Sequence, residues 1–306
     1  MKSSKLVISL DFELHWGVFD MNIPEYDKNI LGARKSIPEM LKLFNKYDIH
    51  VTWAVVGLLF NETKDDYVKY KPKLRPSYKN TNLDAYSVDI GKDEKSDKFH
   101  YAHSLIDLIL SYPNQEIASH SYSHYYCNEE GQNINQFEDD IKTAIKIAKD
   151  KFDVNLKSFV FPRNAVNHDY LKILHKYHFT SYRENSKKFN PNGGLVSRLF
   201  RLLDAYIGIS DNLSGDTVVH HKVKGIYGNR FLRPYSYSFL NFFLLRRVKR
   251  EMKFAAKNNS IYHLWWHPHN FGKNRKQNLQ NLEEILKEYQ FLENKFNMQS
   301  VCMKNL

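Results

Sequence analysis

The chain has 306 residues and a formal charge of +11, from 45 Lys and Arg against 34 Asp and Glu. Its 42% hydrophobic content supports one substantial core and excludes a disordered chain, and its two cysteines, Cys127 and Cys302, exclude a disulfide framework. The excess of cations invites a nucleic-acid partner, but the lysines are dispersed without a recognition element, so nucleic acid is not expected.

In chain order, residues 5–10 read as a first strand, aliphatic and β-branched with no turn former. The apolar run at 6–10 is too short for a signal peptide or a membrane span, and acids follow it directly, so the expected location is the cytoplasm. Residues 32–47 carry Ile37, Leu41 and Phe44 at helical spacing, broadened by Met40 and Leu43. Residues 50–56 form the next strand. Strand, helix and strand, with strands that are apolar and barely alternate, point to parallel β-structure covered by helices. Residues 61–99 break this rhythm: they are charged, rich in aspartate, interrupted by Pro72 and Pro76, and lack periodicity for a core of their own. They are expected to be an insertion that forms a lid or a groove wall.

The rhythm returns with a helix at 103–111, a strand at 116–119, a helix at 135–150, a strand at 158–161, a helix at 168–177 and a strand at 179–182. A turn at 191–194, a helix at 195–209 and a short strand at 217–220 follow. Residues 235–257 read as mainly helical, 260–266 as the clearest late strand and 275–296 as the last helix. Arg246, Arg247, Lys249, Arg250 and Lys253 follow the apolar run at 239–245. That segment is either a core helix with a solvated basic end or, over 239–253, an amphipathic element in peripheral contact with an anionic membrane.

Chemistry-bearing residues gather at strand ends. Asp11 and Glu13 lie just beyond the first strand, in SLDFE, and alternation turns both carboxylates the same way. At the C-terminal end of a parallel strand, one can bind a cation while the other accepts a proton from water; the alternative is two solvated acids. His120 and His124 follow the strand at 116–119, on one side of the chain if 119–125 makes a helical turn. Neutral imidazoles of this kind suit Zn²⁺ and its neighbours. His267 and His269 close the late strand; His267 is placed to protonate a leaving nitrogen, or else belongs to an aromatic cluster with Trp265 and Trp266. His263 lies deeper in the strand and is expected to pack. Arg163 and Asn164, after FVFP, can orient an anionic part of a ligand, with structural pairing of Arg163 to an acid as an equal alternative. No phosphate loop, zinc-finger spacing or serine nucleophile elbow appears.

SLDFE at 9–13, SHSYSH at 119–124, FPRN at 161–164 and LWWHPH at 264–269, in that order, resemble the polysaccharide deacetylase family (NodB-homology, carbohydrate esterase family 4-like). The resemblance implies a distorted, incomplete (β/α) barrel of about seven parallel strands. It spans a single domain over 1–306, with the insertion at 61–99 and a less well matched region at 190–255. It implies Asp11 as general base, Glu13 as acidic metal ligand, His120 and His124 as imidazole ligands and His267 as general acid. Tyr122 would offer a backbone N–H to the oxyanion, and Arg163, Asn164, Trp266 and His269 would contact substrate. Two features depart from the family pattern: Asp-Phe-Glu stands where two adjacent aspartates are usual, and Pro162-Arg163-Asn164 lacks the usual glycine.

The expected function is therefore metal-dependent removal of an N-acetyl group from an amino sugar, in surface-polysaccharide or glycoconjugate biosynthesis. The metal is expected to be Zn²⁺, with Co²⁺ or Ni²⁺ as alternatives, and the sugar nucleotide- or lipid-linked. The rival expectations are a hydrolase of another small amide on the same fold, and an inactive carbohydrate-binding or membrane-associated homologue.

Overall fold

The computed structural model describes residues 3–21, 23, 26–186 and 217–306. The expected turn at 191–194 and helix at 195–209 lie outside the described residues. Among these, the sheet runs β1 (Lys5–Phe12), β2 (Val51–Val55), β3 (Gln115–Ser119), β4 (Ser158–Phe159), β5 (Ser181–Glu184), β6 (Val218–His220), β7 (Val223–Tyr227), β8 (Arg230–Phe231), β9 (Ile261–Trp266) and β10 (Gln299–Ser300). The spatial order is β6-β7-β5-β4-β3-β2-β1-β9-β8, with β10 added beside β1. Only the β6–β7 pairing is antiparallel. The sheet curls into an open half-barrel flanked by helices, as the sequence predicts. The strand expected at 217–220 is β6, which runs antiparallel to its neighbour rather than parallel, and the sheet adds β7 and the two-residue β8 and β10, none of which the sequence pattern predicts.

The described α-helices are α1 (Asp27–Lys46), α2 (Lys64–Lys69), α3 (His103–Leu110), α4 (Ile134–Phe152), α5 (Leu171–Lys176), α6 (Ser238–Lys257) and α7 (Arg275–Phe296), with short 3-10 turns between elements. The start of α4 is fixed by a capping box, in which Asn133 accepts from the Gln136 amide and the Gln136 side chain accepts from the Asn133 amide. No helix among the described residues is long and apolar enough to cross a membrane.

Strand alternation divides the residues into two layers. Leu6, Ile8, Leu10 and Phe12 of β1 join the main core against the helices. Val7 faces the other way, into a small inner cluster with Ala54, Val160, Ile226 and Met303. Beneath that cluster Glu116 accepts hydrogen bonds from Thr52, Ser158 and the Lys304 amide, so the C-terminal tail closes the lower end of the half-barrel. The upper end, where the parallel strands finish, stays open. Residues 61–99 contribute Tyr67, Tyr70, Ala85 and Ile90 to the main core rather than building one of their own. Cys127 and Cys302 are both buried free thiols.

Candidate metal centre and active site

The register decides which side chains meet. Ser9 pairs with Trp265 and Val7 with His263, so in this parallel pair Ser9, Asp11, His263 and Trp265 share the inner face. The same bookkeeping along β2, β3 and β4 puts Ala54, Ala118 and Val160 inside, and aims His120 inward just past the end of β3.

Glu13 lies at the centre. Its Oε1 is 3.0 Å from Nε2 of His120 and 3.3 Å from Nε2 of His124, and all three residues are buried. His120 Nδ1 lies 2.8 Å from the Val160 carbonyl, which can only accept, so that nitrogen carries the proton. In a neutral imidazole Nε2 then presents a lone pair to a carboxylate oxygen. At 3.0 Å the pair is satisfied either by a proton on Nε2, as an imidazolium hydrogen bond, or by a metal ion shared with the carboxylate. His124 is also held from behind, its Nδ1 3.0 Å from the Tyr126 hydroxyl, a group that can donate or accept. Burial depresses the His124 pKa, against the opposing pull of Glu13, and so favours its neutral, ligating form. Burial presses the Glu13 pKa up, but the His267 charge and the two imidazole hydrogen bonds outweigh it and hold the carboxyl well below its ordinary value. One carboxylate and two imidazoles fit a divalent cation of the zinc class, with positions left for water.

The turn carrying the histidines differs from expectation. Ser121 (φ 59°) and His124 (φ 56°) are left-handed, so no helical turn forms. Asp140 on α4 takes the amides instead: its carboxylate accepts from the Tyr122 N–H at 2.6 Å, the Ser123 N–H at 3.0 Å and the Ser123 hydroxyl at 2.5 Å. This corrects the expected oxyanion role of Tyr122, whose backbone N–H is committed to Asp140 and whose ring is fully buried.

Asp11 faces a different partner. Arg183 on β5 donates to both of its oxygens at 2.6 Å. Asn164 Oδ1 accepts from the same guanidinium at 2.7 and 3.0 Å, and the Trp265 ring lies 4.2 Å from it. Burial alone would raise the Asp11 pKa, yet the Arg183 charge and hydrogen bonds hold it below the ordinary value. Arg183 is absent from the sequence-derived site. The expected strand stops at 182, whereas β5 runs to Glu184, and the inward parity of Arg183 is the signal that would have found it.

His267 Nε2 lies 3.7 Å from both Asp11 Oδ2 and Glu13 Oε1, at the mouth of the site. Its ring stacks on that of His269 at 4.9 Å. His269 is buried, with a pKa pushed down to about 3 by burial and then by the His267 charge, and it packs edge-on against Tyr26. Trp266 is a correction: it points outward, fully buried between Phe44 and Phe271, because a residue adjacent to an inward side chain faces the opposite side. Trp265 holds the inner position. Arg163 pairs with Asp20 at 2.5 Å and lies over the Tyr126 ring, so the acid it meets is Asp20 rather than Asp11. Arg163 (φ 56°) and Asn164 (φ 53°) are both left-handed, a strained pair of the kind that concentrates at functional sites.

These groups line a cavity of about 330 Å³ that includes Asp11, Glu13, His124, Arg163, Asn164 and His267. Met21 also borders a second hollow of about 780 Å³, walled by Thr81, Asn82, Ser87 and Val88 of the 61–99 segment.

The family model for polysaccharide deacetylase matches residues 19–182. Among solved structures, the fold matches two proteins assigned as polysaccharide deacetylases. The Mycobacterium smegmatis protein has a TM-score of 0.63 at 11% identity, over 99% of this chain and 88% of that one. The Pseudomonas aeruginosa PAO1 protein has a TM-score of 0.55 at 9% identity, over 98% and 88%. The PuuE allantoinase matches with a TM-score of 0.56 at 10% identity, over 98% and 88%. At these identities the likeness is one of fold. Comparison with curated proteins gives no significant match.

Proposed function

The chain belongs to the polysaccharide deacetylase family, and from that premise we propose that it is a metal-dependent amidohydrolase removing an N-acetyl group from an amino sugar. The observation that carries the reading is the convergence of the Glu13, His120 and His124 donors beside an Arg183-clamped Asp11, with His267 above both carboxylates.

Glu13, His120 and His124 would hold a divalent cation, Zn²⁺ foremost with Co²⁺ or Ni²⁺ as alternatives, which when bound would supply Lewis-acid charge for the acyl oxygen and acidify water. Asp11, kept ionised by Arg183, accepts the proton of the attacking water. His267, whose Nε2 lies 3.7 Å from both carboxylates at the mouth of the site, donates a proton to the departing amine. The side chains of Arg163 and His269 border the cavity and position the sugar.

The hollow against residues 61–99 gives a linked group room to extend, which suits a nucleotide- or lipid-linked sugar. For the lipid-linked case, α6 exposes Phe239 and Phe242 in line with exposed Arg246, Arg250 and Lys253, a stripe suited to an anionic surface. The proposed place of action is the cytoplasmic face of the membrane, in surface-polysaccharide or glycoconjugate assembly. Retention of Phe239→Ser/Phe242→Ser on anionic vesicles as strongly as wild type would remove the membrane part.

The reading is tested by incubating zinc-loaded protein with free and nucleotide-linked N-acetylated sugars and measuring acetate and free amine together. Equal release of both, lost in His124→Ala, is expected. Ammonia from a small amide with no acetate from any sugar would favour the rival amidohydrolase.

A further inference from the structure

We propose a second divalent-metal site on the outer face of the sheet, formed by His168, Glu184 and His220. One ligand atom from each lies within 4.8 Å of those of the other two. The site is independent of the first. Arg183 points inward to Asp11, so its neighbour Glu184 points outward, and β6 and β7 carry His220 to that same outer side through the pairings Tyr182–Gly225, Val218–Gly225 and His220–Val223. Glu184 and His220 also lie beyond residues 19–182, the part matched by the family model.

The donor set is chemically coherent. The two imidazoles stack at 4.3 Å with only 24° between their planes, which presents their ring nitrogens together. Glu184 is nearly buried and held from behind: its Oε2 accepts from the Tyr182 hydroxyl at 2.7 Å and its Oε1 from the Asn185 amide at 2.7 Å. Such outer contacts are how metal ligands are aimed. His168 Nε2 approaches Glu184 Oε2 to 2.8 Å. Metal–ligand bonds of about 2.0–2.2 Å in a tetrahedral site put ligand atoms roughly 3.3–3.5 Å apart. Entry of a cation therefore requires His168 to open by about half an ångström and His220, within 4.8 Å of the other two, to close by at most about 1.5 Å. The His168 side chain is 50% exposed and can make that movement. Two imidazoles and one carboxylate with open positions suit Zn²⁺, Cu²⁺ or Ni²⁺ rather than Mg²⁺ or Ca²⁺. A bound ion would tie the edge strand β6 to the end of β5 and to the 3-10 turn His168–Tyr170 that leads into α5.

The test is metal stoichiometry. Protein stripped with a chelator is titrated with Zn²⁺ against a colorimetric competitor, and bound zinc is counted after gel filtration. His220→Ala and His168→Ala should each bind one equivalent fewer than wild type, and His221→Ala, an exposed histidine next in the chain, should match wild type. His220→Ala should keep its deacetylase activity, since none of the three ligands lines the catalytic cavity. Equal stoichiometry in wild type, His168→Ala and His220→Ala overturns the proposal. The equivalent lost on His220→Ala reports this site and the one lost on His124→Ala reports the catalytic site, so each can fail without the other.

Discussion

Arg183 and Asp11 form a buried, bidentate ion pair, with both carboxylate oxygens 2.6 Å from the guanidinium and both side chains at most 3% exposed. A planar fork holding two oxygens fixes the carboxylate plane as well as its charge, which a point-charge ammonium cannot do. Arg183→Lys should therefore lower kcat/KM by about 10²-fold while leaving zinc affinity within a few-fold. The Asp11 pKa is depressed in the folded protein, so its stabilising contribution is present above the unfolded value and lost as pH falls through the folded one. Weakening the pair raises that folded pKa, and the acid limb of the pH–rate profile should move to higher pH. An unmoved acid limb would argue that Asp11 is not the base.

Asp140 never touches the proposed metal, yet it holds the turn between its two histidine ligands. Asp140→Asn replaces one acceptor oxygen with a donor that faces the Ser123 N–H or hydroxyl. Zinc affinity should fall about 10–100-fold, as for other outer contacts of metal ligands, with a stability loss of about 1–3 kcal/mol. Competition titration and thermal denaturation, run side by side, separate the two effects.

His263 is buried with Nε2 2.8 Å from the Ser9 hydroxyl, which also accepts from Arg183. Burial and then the Arg183 charge push its pKa down to about 3. A histidine depressed in this way stabilises the fold fully above its unfolded pKa of about 6.5 and loses that contribution as pH falls toward 3. Asp140, raised to about 6 by burial, has the opposite sign and loses its contribution as pH rises through 6. The informative quantity is thus a difference. The stability gap between wild type and His263→Gln should shrink by a few kcal/mol between pH 7 and pH 4, measured by urea unfolding. A gap independent of pH would mean that His263 is not held neutral.

The two tryptophans of β9 should behave differently. Trp266→Ala empties a core position between Phe44 and Phe271 and should cost about 3–5 kcal/mol, with kcat/KM of the folded fraction within a few-fold of wild type. Trp265→Ala removes the ring over Arg183 and should depress kcat/KM by about tenfold or more at a smaller stability cost. Melting temperatures and initial rates on the same preparations check both.

Much of this site was legible in the chain because it sits where parallel strands end. Asp11, Glu13, His120, His124 and His267 could be gathered from strand-end positions and ordered motifs before any coordinates. Arg183 could not, because its strand was read as ending at 182 and a single residue of parity decides whether a side chain meets Asp11 or the helices. The same parity exchanged Trp266 for Trp265. It was available in principle: if His267 faces inward, a period of two puts Trp265 with it. The left-handed Ser121 and His124 were beyond local reading, since Asp140, on a helix further along the chain, supplies the acceptor that replaces a helical carbonyl. Glu184 and His220 carry no motif and meet only through the pairing of β5, β6 and β7.

The most direct measurement is elemental zinc content together with acetate release, on wild type, Asp11→Asn and His124→Ala prepared without chelator or metal-affinity resin. The account predicts that Asp11→Asn keeps the wild-type zinc content and loses turnover by about 10³-fold or more, while His124→Ala loses one zinc equivalent per chain and turnover together. Wild-type zinc content and undiminished acetate release in His124→Ala would contradict it.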